Sequence, residues 1–164
     1  MPRILGIDPG SRVTGFAIID HNKQKSQHIT SGCIRTEGAD FPQRLGIIFQ
    51  DISTIINQYQ PTEMSIEQVF MAKNAGAALK LGQAKGAAIC AAINANLAVY
   101  EYAPRLVKQA VVGKGSADKQ QVQQMVKILL NLQGNLLLDQ SDAIAIALCH
   151  AHSRAFFKQL TKLK

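Results

Sequence analysis

The first three apolar runs of the chain lie so close together in sequence that they constrain the whole fold. They cover residues 3–8, 13–20 and about 27–36, and only short polar segments separate them. Connections of this length join antiparallel neighbours, whereas parallel strands need crossovers of roughly a dozen residues or more. The sequence therefore predicts a three-stranded antiparallel meander.

Helical and strand-like patterns alternate after this meander. Apolar residues recur at spacings of three and four from Phe41 to Tyr59, which is typical of an amphipathic helix. A strand-like run at 63–70, an Ala- and Gly-rich helical stretch at 74–96 and a strand-like run at 97–104 follow. Alternation of this kind implies crossover connections. The predicted fold is an α/β domain with a five-stranded mixed sheet, three antiparallel strands first, and helices on both faces.

The chain shows no internal repeat, low-complexity tract or linker-like stretch. We therefore expect one domain over residues 1–153, followed by a basic C-terminal tail over residues 154–164. Two helices are predicted after the fifth strand, the first of them capped by Ser116.

The cysteine pattern and the hydropathy indicate where in the cell the protein is located. The three cysteines are far apart and lack paired spacing, which favours reduced thiols in a cytoplasmic protein over disulfides or a zinc site. No apolar run reaches the roughly 20 residues that cross a bilayer. We expect a cytoplasmic protein without a membrane partner.

Four acidic residues occupy positions that are unusual for carboxylates. Asp8 ends the first strand-like run, Glu67 lies inside the apolar segment "MSIEQVF", and Asp139 and Asp142 lie near the start of an apolar helix. Buried carboxylates are costly unless they are paired or bind a metal. If the first and fourth strands are neighbours and the last helix lies beside them, the four acids can converge on a hard divalent cation such as Mg²⁺.

Each acid also has a structural explanation. Asp139 can cap the last helix, with Asp142 in its first turn, and Asp8 can be a turn residue before Pro-Gly. Glu67 is the hardest to explain in this way, because strand interiors disfavour glutamate.

The sequence resembles the RuvC family of bacterial Holliday junction resolvases (crossover junction endodeoxyribonucleases), within the RNase H-like nuclease superfamily. The matching stretches are "GIDPGSRVTG", "SGCIRT", "IEQVFMAKNAGAALKLGQAKGA", "EYAPRLVKQAVVGKGSADKQQVQ" and "DQSDAIAIALCHAH". The resemblance implies an RNase H-like fold in which the catalytic and metal-binding acids are Asp8, Glu67, Asp139 and Asp142.

The resemblance also implies a mechanism and a set of partners. Two Mg²⁺ ions per active site, for which Mn²⁺ can substitute, would bind the scissile phosphodiester, and each nick would carry a 5′-phosphate and a 3′-hydroxyl. A homodimer would nick a four-way DNA junction symmetrically during recombination and DNA repair, together with the branch-migration complex RuvA–RuvB. The helix at 74–96 would contribute to the dimer, although its small residues are equally suited to packing on the sheet.

Basic residues are concentrated in the middle of the chain. The net charge is +7, of which residues 73–127 carry +6 whereas residues 1–72 carry −1. This distribution favours a nucleic-acid partner, with a solvated basic surface as the alternative. The resemblance implies that Lys108 and Lys119 serve the active site or bind the DNA backbone. It also implies that Phe70 enters the junction core. The predicted DNA-binding residues are Phe70, Lys73, Lys80, Lys85, Arg105, Lys108, Lys114 and Lys119.

Three other assignments fit parts of the pattern. Actin-like ATPases and sugar kinases also carry an Asp followed by glycine in the first hairpin, but they need two such domains and a Gly-Gly nucleotide-binding region. YqgF-type relatives open with "GIDPG" but lack "EQVFMAKNAGAALKLGQAKG". A basic DNA-binding module with structural acids is the third. Mg²⁺-dependent nicking of a four-way junction, with linear duplex as control, separates them.

Overall fold

One mixed sheet of five strands, with helices on both faces, organises the chain, and this confirms the predicted fold class. The computed structural model describes residues 1–70 and 74–161, the last seven of them by their backbone alone. In chain order the elements are β1 (Arg3–Asp8), β2 (Val13–Asn22), β3 (Lys25–Arg35), α1 (Phe41–Tyr59), β4 (Glu63–Glu67), α2 (Ala75–Asn94), β5 (Ala98–Tyr102), α3 (Pro104–Val112), α4 (Lys119–Leu130) and α5 (Leu138–Thr161).

The strand order places the ends of β1 and β4 side by side. The order is β3-β2-β1-β4-β5, with β1, β2 and β3 antiparallel and with β4 parallel to both β1 and β5. Ile7 pairs with Ile66, so the residue that follows each of them, Asp8 and Glu67, lies at the same edge of the sheet. The predicted adjacency of the first and fourth strands is therefore confirmed.

Side chains alternate between two apolar layers across the sheet. Leu5 and Ile7 of β1 face a core formed with α1 and α2. Ile4 faces a second core formed with α3, α4 and α5. Asp8 is four residues after Ile4 on the same strand, so its side chain is on the same face, the one that α5 covers.

Two strand glycines allow α5 to lie unusually close to the sheet. A Cβ on Gly6 would lie 2.3 Å from the carbonyl oxygen of Ala143, and a Cβ on Gly15 would lie 2.0 Å from that of Asp139. Neither position has room for a side chain, because the helix backbone already occupies the space. Glycine in these strands therefore sets how closely the first turns of α5 approach the sheet.

Several element boundaries differ from the sequence-based expectation. β4 ends at Glu67 and not at residue 70, because its partner β5 ends at Tyr102. Three helices follow β5, not two: Pro104 ends the strand and also begins α3. The N-cap of α4 is Asp118 and not Ser116, because Asp118 forms a reciprocal capping box with Gln121.

The last helix continues beyond the predicted end of the domain. α5 runs to Thr161, so the division expected at residue 153 falls inside a helix, and the tail assignment stays a prediction. In the part of the chain that the structure describes, every helix is too short or too polar to cross a membrane.

Candidate active site

The sequence-predicted acids lie together at the edge of the sheet where β1 and β4 end. Asp8, Glu67 and Asp142 line one cleft of about 200 Å³. Asp139 lies in the first turn of α5, which begins at Leu138, so it is not the N-cap that the structural explanation required. Asp139 is nevertheless close enough to raise the pKa of both Asp8 and Asp142.

Hydrogen bonds and close packing fix the acidic end of α5. The Gln140 side-chain amide donates to the Ser31 hydroxyl at 2.8 Å and to the Ser31 carbonyl at 3.3 Å, which ties the first turn to β3. The Ser65 hydroxyl donates to the Ile146 carbonyl at 3.3 Å and ties the third turn to β4. Together with the contact at Gly15, these bonds orient α5 at the point where it presents its carboxylates.

Burial, and to a smaller extent mutual repulsion, perturbs the pKa values of the acids. Burial raises the pKa of Asp8 to about 8, and the charges of Asp142, Glu67 and Asp139 add to this effect. Burial also raises the pKa of Glu67 and of Asp142, with like-charge repulsion as a further contribution. Asp8 stays fully ionised at neutral pH only when a positive charge compensates it. The cleft is therefore built to accept cations.

Two lysines provide part of this compensation from one side of the cleft. Lys119 lies with its Nζ 3.6 Å from Oδ2 of Asp142, and the capping box at the start of α4 fixes its backbone. Lys108 projects from α3 and lines the same cleft. Both lysines lower the pKa of Glu67 and of Asp142, opposing the larger effect of burial.

The donor chemistry of the cleft suits a hard divalent cation. Its acidic donors are carboxylate oxygens, without histidine or thiolate, and this is the ligand set that Mg²⁺ and Mn²⁺ prefer. Within residues 1–70 and 74–161, no three His, Cys, Asp or Glu side chains are already placed as a closed metal site. The four acids thus fit such an ion by chemistry and charge, but they do not form a finished coordination sphere.

The predicted DNA-binding residues fall into several environments. Lys108 and Lys119 lie at the acidic cleft, and Lys114 is exposed in the segment between α3 and α4. The Arg105 side chain packs over Gly115. Lys73 lies outside the described residues.

The other predicted contacts lie on or beside α2. Lys80 places its Nζ 5.7 Å from the ring centroid of Phe41, and Lys85 forms an ion pair with Glu101. Phe70 follows β4 and is 60% exposed, although it is a large apolar side chain. It lines an apolar groove together with Leu79 of α2.

A second polar cluster lies at the opposite end of β4. Nε2 of His150 is 2.7 Å from Oε2 of Glu63, and the Tyr102 hydroxyl is 2.6 Å from Nδ1 of the same imidazole. Arg154 also pairs with Glu63. The cluster secures the middle of α5 to the sheet, away from the acidic cleft.

Sequence reasoning missed the residues that position the acids. Gln140 and Ser31 are 109 residues apart, and neither carries a local signal of their contact. Gly15 does carry one, because a glycine inside a strand often marks the close approach of another backbone.

Sequence comparisons relate the whole chain to one family. The family model described as "Crossover junction endodeoxyribonuclease RuvC" matches residues 4–150. A protein of that name from Methylococcus capsulatus is 56% identical over 163 residues, which cover 99% of this chain and 98% of the relative. Another from Psychromonas ingrahamii is 58% identical over 153 residues, covering 93% and 88%.

Solved structures agree with the sequence comparisons. Thermus thermophilus RuvC in complex with Holliday junction substrate is similar with a TM-score of 0.86 and 30% identity, over 98% of this chain and 97% of that one. The yeast mitochondrial Holliday junction resolvase shares the fold, with a TM-score of 0.65 and 16% identity, over 97% and 86% of the two chains.

Proposed function

The chain belongs to the RuvC family of crossover junction endodeoxyribonucleases, and we propose that it resolves Holliday junctions by paired, symmetric nicks during recombination and DNA repair. It is a nuclease, and its proposed place of action is the bacterial cytoplasm. The observation that carries the proposal is the acidic cleft, in which two strand ends and one helix present carboxylates beside Lys108 and Lys119.

The proposed mechanism depends on neutralisation of the clustered carboxylates by divalent cations. Asp8, Glu67, Asp139 and Asp142 would hold divalent cations, two Mg²⁺ per active site with Mn²⁺ as a substitute. Such ions supply Lewis-acid activation of a phosphodiester and of a water nucleophile. The carboxylates with raised pKa values would release their protons when cations bind, since the added positive charge favours the ionised form.

The lysines of the cleft are placed to bind the backbone of the substrate. Lys108 and Lys119 offer ammonium groups beside the acids, where phosphate oxygens of the cut strand would arrive. They would partly neutralise the negative charge that develops as the P–O bond breaks. The expected products carry a 5′-phosphate and a 3′-hydroxyl at each nick.

Phe70 supports recognition of a junction rather than of a plain duplex. A large apolar side chain that is 60% exposed beside the active-site edge is not a core residue. Stacking against an unpaired base at the crossover would supply roughly 1–3 kcal/mol.

A homodimer would match the twofold symmetry of a four-way junction. The sequence left open whether the glycines of α2 pack on the sheet. In the structure, Ala84 and Ala88 are buried in the core that α2 shares with α1 and the sheet, whereas Cβ atoms on Gly82 and Gly86 would meet open space. Leu79 on the same helix is 67% exposed. These features favour a second copy over this face, and the family resemblance adds RuvA–RuvB as further partners.

The experiment is Mg²⁺-dependent nicking of a synthetic four-way junction by Asp8→Asn and Glu67→Gln variants, with gel-shift binding measured in parallel. Both variants should lose nicking and keep or improve junction affinity, because negative charge near the phosphates is removed. Asp51→Asn, which removes an exposed acid from α1, is the matched control and should cut normally.

Two outcomes would contradict the proposal. One is an Asp8→Asn variant that cuts at a rate near that of the wild type, which would remove the metal-site assignment. The other is a wild-type protein that binds the junction but leaves it uncut in Mg²⁺, as expected for a non-catalytic DNA-binding module.

A further inference from the structure

Arg35 lies on the same face of the sheet as the catalytic acids, on the side opposite to the two lysines. Asp8 pairs with Gly15, and Gly15 pairs with Cys33, so these three residues form one row across β1, β2 and β3. Arg35 lies two residues further along β3 and therefore shares the face of Cys33. From strand spacing and rise, its Cα lies roughly 12 Å from that of Asp8.

The electrostatics of Cys33 agree with this placement of Arg35. Burial raises the pKa of the Cys33 thiol, the charges of Asp139 and Asp8 raise it further, and the charge of Arg35 lowers it. One thiol thus lies within reach of both the acidic cleft and the guanidinium.

The turn that carries Arg12 is held rigidly next to Arg35. Val13 pairs with Arg35, which brings the β1–β2 turn to the end of β3. The buried Thr36 donates from its hydroxyl to the Ser11 carbonyl at 2.8 Å and from its backbone N–H to the Arg12 carbonyl at 2.9 Å. The backbone of this turn is therefore fixed, while the Arg12 side chain is exposed.

Neither guanidinium is engaged by another group that the structure describes. Arg3 pairs with Asp20, Arg154 pairs with Glu63, and Arg44 donates to the Ala39 carbonyl. Within the described part of the chain, Arg12 and Arg35 have no hydrogen bond or ion pair. An exposed, unpaired guanidinium is well suited to bind phosphate oxygens through two N–H groups.

We infer that Arg12 and Arg35 bind a backbone phosphate next to the scissile one and hold the cut strand in register over the acids. A strand that enters the cleft over Lys108 and Lys119 and continues across the sheet toward β3 would meet Arg12 and Arg35, which are both exposed at that end of β3. They are positioning residues, since they lie beside the acids and not among them. This inference rests on the proposed nuclease function.

The test combines arginine variants with junctions that carry one neutral methylphosphonate at each position near the cut. Arg35→Gln and Arg12→Gln should weaken junction binding roughly tenfold, as expected for a charged hydrogen bond, and flatten the salt dependence by about one contact. Lys25→Gln removes a charge from the other end of β3, roughly 30 Å away, and should do neither.

The decisive result concerns a single phosphate position. At the contacted phosphate, the methylphosphonate should weaken wild-type binding but cause no further loss in Arg35→Gln. At the other positions, both proteins should lose affinity equally. Arg35→Lys should restore the salt dependence but only part of the affinity, because an ammonium cannot form the two-pronged contact.

Four results would overturn the inference. If the losses of affinity from the methylphosphonate and from Arg35→Gln add at every position, Arg35 contacts no single phosphate. If Lys25→Gln changes binding as much as Arg35→Gln does, the effect is not specific to Arg35. A wild type that nicks the junction alongside a folded Arg35→Gln of unchanged affinity would reject this inference and leave the proposed function intact. A wild type that neither binds nor nicks would reject both.

Discussion

Replacing Gly15 with alanine should disable the active site without touching any of its chemical groups. The new Cβ would lie 2.0 Å from the carbonyl oxygen of Asp139 and 2.6 Å from its carbonyl carbon. Since Cβ atoms essentially never approach other heavy atoms closer than 3.0 Å, the start of α5 must retreat by about 1 Å. That movement carries Asp139 and Asp142 away from the strand-borne acids.

Two magnitudes follow from this displacement. Overpacking of a tight contact costs about 1–3 kcal/mol, which in a chain of this length lowers the melting temperature by roughly 2–12 °C. A misplacement of about 1 Å at a catalytic centre costs on the order of 100-fold in rate. Gly15→Ala should therefore stay folded at room temperature and nick junctions about 100-fold more slowly, with its affinity for the junction nearly unchanged.

The assay pairs thermal unfolding with single-turnover nicking of a four-way junction. Gly46→Ala is the control, because its Cβ would meet nothing within 4 Å and the substitution lies in an exposed turn of α1. It should stabilise the protein by about 0.5–1 kcal/mol and leave nicking unchanged. A Gly15→Ala protein with wild-type melting and wild-type rate would refute the argument that close packing at this glycine sets the geometry of the acids.

The remaining predictions concern other parts of the molecule. Phe70→Ala should slow nicking and leave the melting temperature almost unchanged, since the side chain is 60% exposed; a loss of about 3–5 kcal/mol in calorimetry would instead mark a core residue. Leu79→Glu should turn a dimer into a folded monomer in light scattering and limit it to one nick per junction; a monomeric wild type that makes paired nicks would contradict this. Although burial acts to raise the pKa of Glu63, its bonds to Arg154 and His150 lower it overall, so its stabilisation is present above the ordinary value of 4.5 and is lost in acid. Glu63→Gln should therefore melt below the wild type at neutral pH, and the two melting curves should converge as the pH falls; an equal gap at all pH values would contradict the ion pair.

The sheet could be predicted from sequence because its signals are local. Short connections specified the antiparallel meander, and the alternation of patterns that follows specified the parallel strands. The missed helix shows where such reasoning stops. Pro104 follows β5 and also begins α3. Because one residue has both roles, the sequence indicates the end of the strand but not the start of a separate helix.

In the candidate site, too, the residues with a local sequence signal could be predicted and those without one could not. Asp8 and Glu67 could be chosen because a carboxylate in or at the end of an apolar strand is anomalous within its own segment, whereas Asp139 and Asp142 were chosen only because they can converge with those two. Their catalytic and metal-binding roles stay proposals. The hydrogen bond from Gln140 to Ser31, which helps to hold the helix acids in place, was not predictable, because it joins distant segments that look ordinary in isolation.

The parallel pairing of β1 with β4, and the docking of α5 across them, also govern when the cleft can first exist. Asp8 is synthesised early, Glu67 much later, and Asp142 only with the last helix. Contacts between such distant segments form late in folding, because the chain must first lose the conformational entropy of closing a long loop. A nascent chain that has exposed the meander and α1 therefore carries one acid of the four. If these acids form the nuclease site as proposed, that site is assembled only after α5 has left the ribosome, and incomplete chains should be unable to cut DNA.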